Sequence, residues 1–160
     1  MACSLRQLSR SEMDQAALVH RAAFDERLPW LAGLHTPAED RAFFRDRVFT
    51  ECQIWGAIDP ELIGFIAFRE GWIDQFYVRP SRQRQGVGRA LLRIAQAAWP
   101  HLLLWTFQRN VPARSFYEAE GFLAIRETDG SGNDEREPDI LYEWRRPQLA
   151  PASPVEPAGP

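Results

Sequence analysis

"RPSRQRQGVGRALL", residues 79–92, sets four arginines and two glutamines around two closely spaced glycines. Directly downstream, Leu91, Leu92, Ala95, Ala98 and Trp99 recur at helical spacing until Pro100 stops them, so a helix starts near Gly88. Upstream, "GWIDQFYV" (71–78) reads as a β run, so the stretch is a strand-to-helix junction with a turn through Pro80. Three readings compete: a basic patch for nucleic acid, an ordinary helix start with exposed arginines, and a phosphate cradle. The cradle accounts for the most residues at once. Free backbone N–H groups at the start of a helix converge on one point, where the macrodipole adds the equivalent of roughly +0.5 charge. Glycine at 86 and 88 keeps a β-carbon from holding a phosphate off the backbone.

Composition weighs against nucleic acid. The 160 residues carry 22 acidic and 19 basic side chains, a formal charge of −3, and no second basic cluster interleaved with aromatics. Every basic residue is arginine, because the chain has no lysine. That excludes a lysine P-loop, a pyridoxal-phosphate Schiff base and a kinase-type strand lysine. Cys3 and Cys52 form no CxxC pair, so neither zinc nor a disulfide framework is signalled, and a reducing cytoplasm suits them. The loop "DGSGNDEREPDI" offers oxygen ligands, but Asp134 stands where a calcium loop needs glycine and Ile140 where it needs glutamate. No metal is therefore expected. The longest apolar run, "LIGFIAF" (62–68), is too short to span a bilayer, which predicts a protein without a membrane partner.

The length suits one domain. A strand at residues 4–8 precedes a helix opened by a Ser9–Glu12 capping box, with Met13, Ala16, Ala17 and Phe24 on its apolar stripe. A second helix opens at Thr36, with Pro37 in its first turn and Glu39 completing another box; it is expected to bury Phe43, Phe44 and Val48. "QIWGAI" and "LIGFIAF" form a hairpin around Asp59, Pro60 and Glu61. "LLLWTF" (102–107) reads as a strand covered on both faces, and "PARSFYEAEG" as a short helix ending at Gly121. "FLAIRE" and "ILYEWR" close a mixed sheet with helices on both faces, an α/β architecture of the α+β type occupying residues 1–146. The proline-rich tail, 147–160, is expected to be disordered.

With those elements in place, Gln83-Arg84-Gln85-Gly86-Val87-Gly88 resembles the (Q/R)xxGx(G/A) signature of the GCN5-related N-acetyltransferases. Asn110, Ala113, Tyr117, Gly121 and Phe122 resemble the second motif of that family, NxxAxxxYxxxGF. The likeness extends from Ser4 to Arg146 and implies six to seven mostly antiparallel strands, with the strands at 72–78 and 102–107 splayed into a V. It implies acetyl-coenzyme A as acyl donor. The backbone of Phe76, Tyr77 and Val78 would pair with the pantetheine arm, and Gln83, Arg84, Gln85, Gly86, Val87, Gly88 and Arg89 would cradle the diphosphate. Asn110, Ala113 and Tyr117 would complete the donor site.

Transfer from a thioester to an amine requires a neutral amine, a stabilised oxyanion and a proton for the departing thiolate. The resemblance makes Tyr117 the general acid and assigns the oxyanion to a backbone N–H near Val78. Asp74 and Glu70 are the candidate bases, Asp74 first because it shares a strand face with Trp72, and Asp74 is equally a candidate for binding the substrate. Trp30 and His35, in the connection between the first two helices, are expected to form one wall of the acceptor site. His20 reads as a hydrogen-bonded, partly buried histidine and His101 as a surface residue. The acceptor is a primary amine of a small molecule or peptide, and the acidic surplus of the last loop favours a cationic one. An acyl-coenzyme A binding or sensing module without catalysis is the alternative, and a homodimer is compatible with the sequence.

Overall fold

The computed structural model describes residues 3–148. Strand β1 (Ser4–Gln7) leads through a 3₁₀ turn (Arg10–Glu12) into α1 (Met13–Arg27). A second 3₁₀ turn (Pro29–Leu31) precedes α2 (Pro37–Phe43), which runs through a π stretch (Phe44–Val48) into α3 (Phe49–Glu51). Then follow β2 (Gln53–Ile58), β3 (Leu62–Arg69), β4 (Trp72–Val78), a 3₁₀ turn (Pro80–Arg82) and α4 (Val87–Ala98). Strand β5 (His101–Phe107), α5 (Val111–Ala119), β6 (Leu123–Glu127) and β7 (Asp139–Arg145) complete the domain. Expected disorder in the tail falls, beyond Pro147 and Gln148, outside the described residues.

Local chemistry sets the element boundaries. Thr36 and Glu39 cap each other reciprocally, Glu39 N–H donating to Thr36 Oγ1 at 3.1 Å and Thr36 N–H to Glu39 Oε1 at 3.0 Å. At the first helix Glu12 Oε1 accepts Ser9 N–H at 3.0 Å, and Arg6 adds a 2.7 Å ion pair to the same carboxylate. That pairing holds the Glu12 carboxyl down to about 2.

The seven strands lie in the order β1-β2-β3-β4-β5-β7-β6, antiparallel throughout except for β4 and β5. One face packs on α1 and the α2–α3 segment through Met13, Phe44, Val48 and Phe65. The other packs on α4 and α5 through Leu91, Leu92, Ala95, Tyr117 and Phe122. Strand β3 is buried on both sides from Leu62 to Phe68, as the middle layer of this sandwich.

Two expected burials are corrected. Phe43 is 41% exposed, because Phe44 and Val48, four residues apart on one face, already point inward and Phe43 lies about 100° away from Phe44 around the helix axis. Strand β5 is not covered on both faces: Leu102 and Leu104 are buried while Trp105 is 41% exposed. Helix α1 packs mainly over β3 and β4 and reaches β5 through Phe24 against Phe107, leaving Trp105 exposed.

The parallel pair opens the sheet. Strands β4 and β5 share the single pairing Trp72–Leu103, anchored where Leu103 N–H donates to Gly71 O at 2.9 Å, and then separate. The expected V is this divergence. Across from it, Ala67 faces Gln75 and Phe68 faces Ile73, so Asp74 is a bulged residue without a partner on β3.

Candidate active site

A cavity of about 780 Å³ fills the opening between β4 and β5. Asp74 to Val78 form one wall and Leu104 to Phe107 the other, with Phe24 and Arg27 of α1 across one end. Phe24 and Phe107 meet edge to face at 6.2 Å, bridging helix and strand at that end. The start of α4 and the α5 residues Ala113, Phe116 and Tyr117 form the opposite side.

The glycine turn has the conformation its sequence implies. Gly86 caps α4 at φ +84°, in the left-handed region, with no atom near the position of a β-carbon. Arg84 also takes a positive φ, 63°, so the loop curls before the helix and leaves its first-turn amides without intrahelical acceptors. At Gly88 a β-carbon would point at Phe116 and Phe76 at 3.6–3.8 Å, ordinary contact, so packing alone does not demand glycine there. Both glycines line the cavity, and the exposed amides suit an anionic diphosphate.

Side chains of the loop divide their work. Gln83 donates from Nε2 to Val78 O at 3.0 Å and accepts from Arg27 at 2.8 Å, which ties the loop to β4 and α1. Arg82 pairs with Asp59 and donates to Gln85 Oε1 at 3.2 Å. Arg89 and Arg93 clamp the buried Glu120 at 2.8 and 3.0 Å. Arg84 faces the cavity with no ion pair among the described residues. Asn110 caps α5, its Oδ1 accepting Ala113 N–H at 3.3 Å, so its carbonyl is spent on the helix while its amide nitrogen remains available.

Tyr117 is buried among Phe76, Phe116, Phe122 and Tyr142, with ring centroids at 5.5–6.3 Å. It lines the cavity, and its hydroxyl has no hydrogen-bond partner among the described residues. Burial, then the proximity of Tyr77, raises its pKa well above that of free tyrosine, which keeps the phenol protonated. A neutral phenol inside a cavity is a proton donor.

The two carboxylate candidates separate. Asp74 lines the cavity, and its Oδ2 accepts from Arg69 Nε at 2.7 Å and from the Cys52 thiol at 3.4 Å, leaving Oδ1 without a donor among the described residues. Burial, reinforced by Asp74, pushes the Cys52 thiol up to about 12, so it stays a thiol. A smaller cavity of about 360 Å³, bounded by Phe43, Arg47 and Glu51, reaches Asp74 from the α2–α3 side. Glu70 sits exposed in the β3–β4 turn, outside both cavities.

Neither Trp30 nor His35 lines the main cavity. Trp30, in the 3₁₀ turn after α1, donates its indole N–H to Glu137 Oε1 at 2.7 Å; His35 is half-buried, 3.7 Å from Glu39. His20 differs from its expected hydrogen-bonded state. Its Nδ1 is buried without a partner, its ring packs against Phe24, Phe44 and Tyr77, and burial lowers its pKa to about 4. His101 is half-buried and pairs with Glu143 at 2.8 Å. The contacts of Glu137 with Trp30, of Cys52 with Asp74 and of Phe24 with Phe107 join residues far apart in the chain, so no local pattern signals them.

Comparison with known proteins agrees with this geometry. A family model described as an acetyltransferase (GNAT) domain matches residues 50–123. The peptidyl-lysine N-acetyltransferase YiaC of Escherichia coli is 35% identical over 103 residues, covering 62% of this chain and 68% of that protein. Among solved structures, apo YjaB from Escherichia coli matches with a TM-score of 0.75 at 20% identity, over 92% of this chain and all of that one. The PaiA N-acetyltransferase of Thermoplasma acidophilum, solved with coenzyme A, matches at 0.67 and 21% identity, over 91% and 99% of the two chains. At these identities the two structures speak for the fold. No helix among the described residues is long and apolar enough to cross a membrane. Sequence match, fold and diverging strands together place the chain in the GCN5-related N-acetyltransferase family, as an acyltransferase that moves the acetyl group of acetyl-coenzyme A to an amine.

Proposed function

We propose that this protein acetylates a primary amine on a polypeptide, with Tyr117 as general acid and Asp74 as the carboxylate that receives the amine proton, directly or through one water. The observation that carries the reading is the pair of unsatisfied groups in one cavity: a phenol with no hydrogen-bond partner and a carboxylate oxygen with no donor, on opposite sides of the strand opening. Acetyl-coenzyme A supplies the activated acyl group. The amides and glycines of 84–88 would bind its diphosphate and Arg84 would add charge, while Phe76 to Val78 would offer strand edge to the pantetheine. Arg69 holds Asp74 in place, so the bulge at residue 74 presents the carboxylate at a fixed point of the strand. Glu70 has no part in the chemistry.

A polypeptide acceptor is favoured by the peptidyl-lysine activity named for the Escherichia coli relative. Pairing of Arg82 with Asp59 and of Arg89 and Arg93 with Glu120 leaves little of the arginine cluster for nucleic acid. Two free cysteines suit a reducing compartment. The test is incubation with acetyl-coenzyme A and lysine-bearing peptides, following acetylated product by mass. Loss of turnover in Tyr117→Phe and Asp74→Asn, with coenzyme A affinity retained, supports the assignment; unchanged turnover in either variant refutes its role.

A further inference from the structure

Glu137 is 8% exposed and carries its carboxylate into the seam between the β6–β7 loop and the α1–α2 connection. Oε1 accepts the Trp30 indole N–H at 2.7 Å. Oε2 is shut off from solvent and receives no hydrogen bond. Its nearest cation, Arg109, stands 3.7 Å away, a charge contact beyond hydrogen-bond range. A buried carboxylate oxygen without a donor is costly to maintain. The loop is nevertheless built to keep it there. Asn133 grips the Glu137 backbone on both sides, Oδ1 accepting its N–H at 3.2 Å and Nδ2 donating to its carbonyl at 2.8 Å. Gly130, at φ +81°, leaves room that a β-carbon would take, since one would fall 2.3 Å from the Glu137 carbonyl carbon. Arg136, next to Glu137, adopts φ +54°.

The other half of the seam is aromatic. Trp30 is 52% exposed, and the Arg109 guanidinium lies over its ring at 5.1 Å, with the Arg109 side chain itself 64% exposed. An indole face beside a half-satisfied carboxylate is the chemistry of a cation site. Its present occupant is a surface arginine that gives up little on leaving. The seam abuts the cavity: Phe107 and Asn110, on either side of the segment carrying Arg109, line it, as does Leu28 just before Trp30. The same loop brings Glu135 close enough for its charge to act on Tyr77 of β4.

We propose that Trp30 and Glu137 bind a positively charged side chain flanking the amine to be acetylated, and that Arg109 occupies this site in the free protein. The bound cation is not the reacting amine, which must be neutral to attack; it belongs to a neighbouring residue of the acceptor. This inference rests on the polypeptide reading above.

Two peptides test it, identical but for the residue beside the reactive lysine, arginine in one and neutral citrulline in the other. The arginine peptide is expected to show roughly tenfold higher kcat/KM, through KM, within the range of a partly desolvated cation–π contact with a carboxylate. Glu137→Gln brings the arginine peptide down to the citrulline peptide. Arg109→Ala moves the other way, lowering KM for the arginine peptide, because the resident cation is gone. A merely structural Glu137 would depress both peptides alike. Equal kcat/KM for the two peptides, or a raised KM in Arg109→Ala, overturns the proposal. If neither peptide is acetylated, the polypeptide reading fails and the Trp30 indole resonance decides separately. A shift on adding the arginine peptide but not the citrulline peptide upholds the cation site, and no shift removes it.

Discussion

Replacing Tyr117 by phenylalanine removes one oxygen and nothing else from an aromatic cluster in which the ring touches four others. The ring keeps its neighbours Phe76, Phe116, Phe122 and Tyr142 at 5.5–6.3 Å, so no cavity forms and no apolar area is lost. The hydroxyl has no partner among the described residues, so no buried donor or acceptor is orphaned by its loss. Stability is therefore expected to change by less than about 0.5 kcal/mol, a shift of about 1–2 °C in Tm for a domain of this size. Tyr117→Ala, which empties the site, should instead cost ~3–5 kcal/mol. Catalysis behaves oppositely: loss of a general acid lowers kcat by about 10²–10³-fold. The assay is the initial rate of coenzyme A release at saturating acceptor, paired with a thermal melt and a coenzyme A titration on the same sample. Because burial raises the phenol pKa, the wild-type acid stays protonated through pH 10, and Tyr117 contributes no basic limb to kcat below that pH. A kcat reduced less than about threefold, with Tm and coenzyme A affinity intact, refutes the assigned acid.

Gly86→Ala forces a β-carbon into a φ of +84° and should cost ~1–2 kcal/mol, read as a lowered Tm. Gly88→Ala meets only ordinary contact at Phe116 and should raise stability by roughly 0.5–1 kcal/mol, yet weaken coenzyme A binding by about tenfold; calorimetric titration beside the melt separates the effects. Asp74→Asn should lower kcat by about 10²-fold, whereas Glu70→Gln, altering an exposed turn, should leave it within about twofold in the same rate assay. His20 supplies a pH signature of folding. Its native pKa of about 4 lies below the unfolded value of 6.5, so the unfolded chain binds the extra proton in between, and stability falls as pH drops from 6.5 to 4. The full loss is about 3 kcal/mol, and His20→Phe should abolish that slope in urea melts recorded across the window. Glu12 adds a loss at lower pH, its depressed carboxyl withdrawing stability as pH falls from 4.5 toward 2.

Where a feature depends on neighbours in the chain, its residues announce it. Thr36 and Glu39 cap each other across three positions, and Gly86 adopts the left-handed turn that its place before the α4 stripe requires. The site's frame was legible for the same reason, since strand, glycine turn, helix and Tyr117 follow one another at fixed spacing. Phe43 and Trp105 escaped because burial depends on which positions the neighbouring elements cover, and no local pattern reveals that α1 reaches β5 at Phe107 while Trp105 stays exposed. Asp74 was named as a carboxylate, but its bulge arises from register with β3 and its restraint from Arg69 and Cys52, both properties of packing. Glu137 was invisible for a stronger reason: the indole it accepts from is 107 residues away.

Tyr117 and Asp74 share one cavity, and the proposed chemistry is amine-dependent acetyl transfer within it. The direct measurement combines the wild-type protein, acetyl-coenzyme A and a lysine peptide, with peptide mass and free coenzyme A followed together. The predicted result is acetylated peptide appearing in step with coenzyme A, at a rate that rises with peptide concentration. Coenzyme A released without acetylated peptide, at a rate indifferent to the peptide, would contradict it.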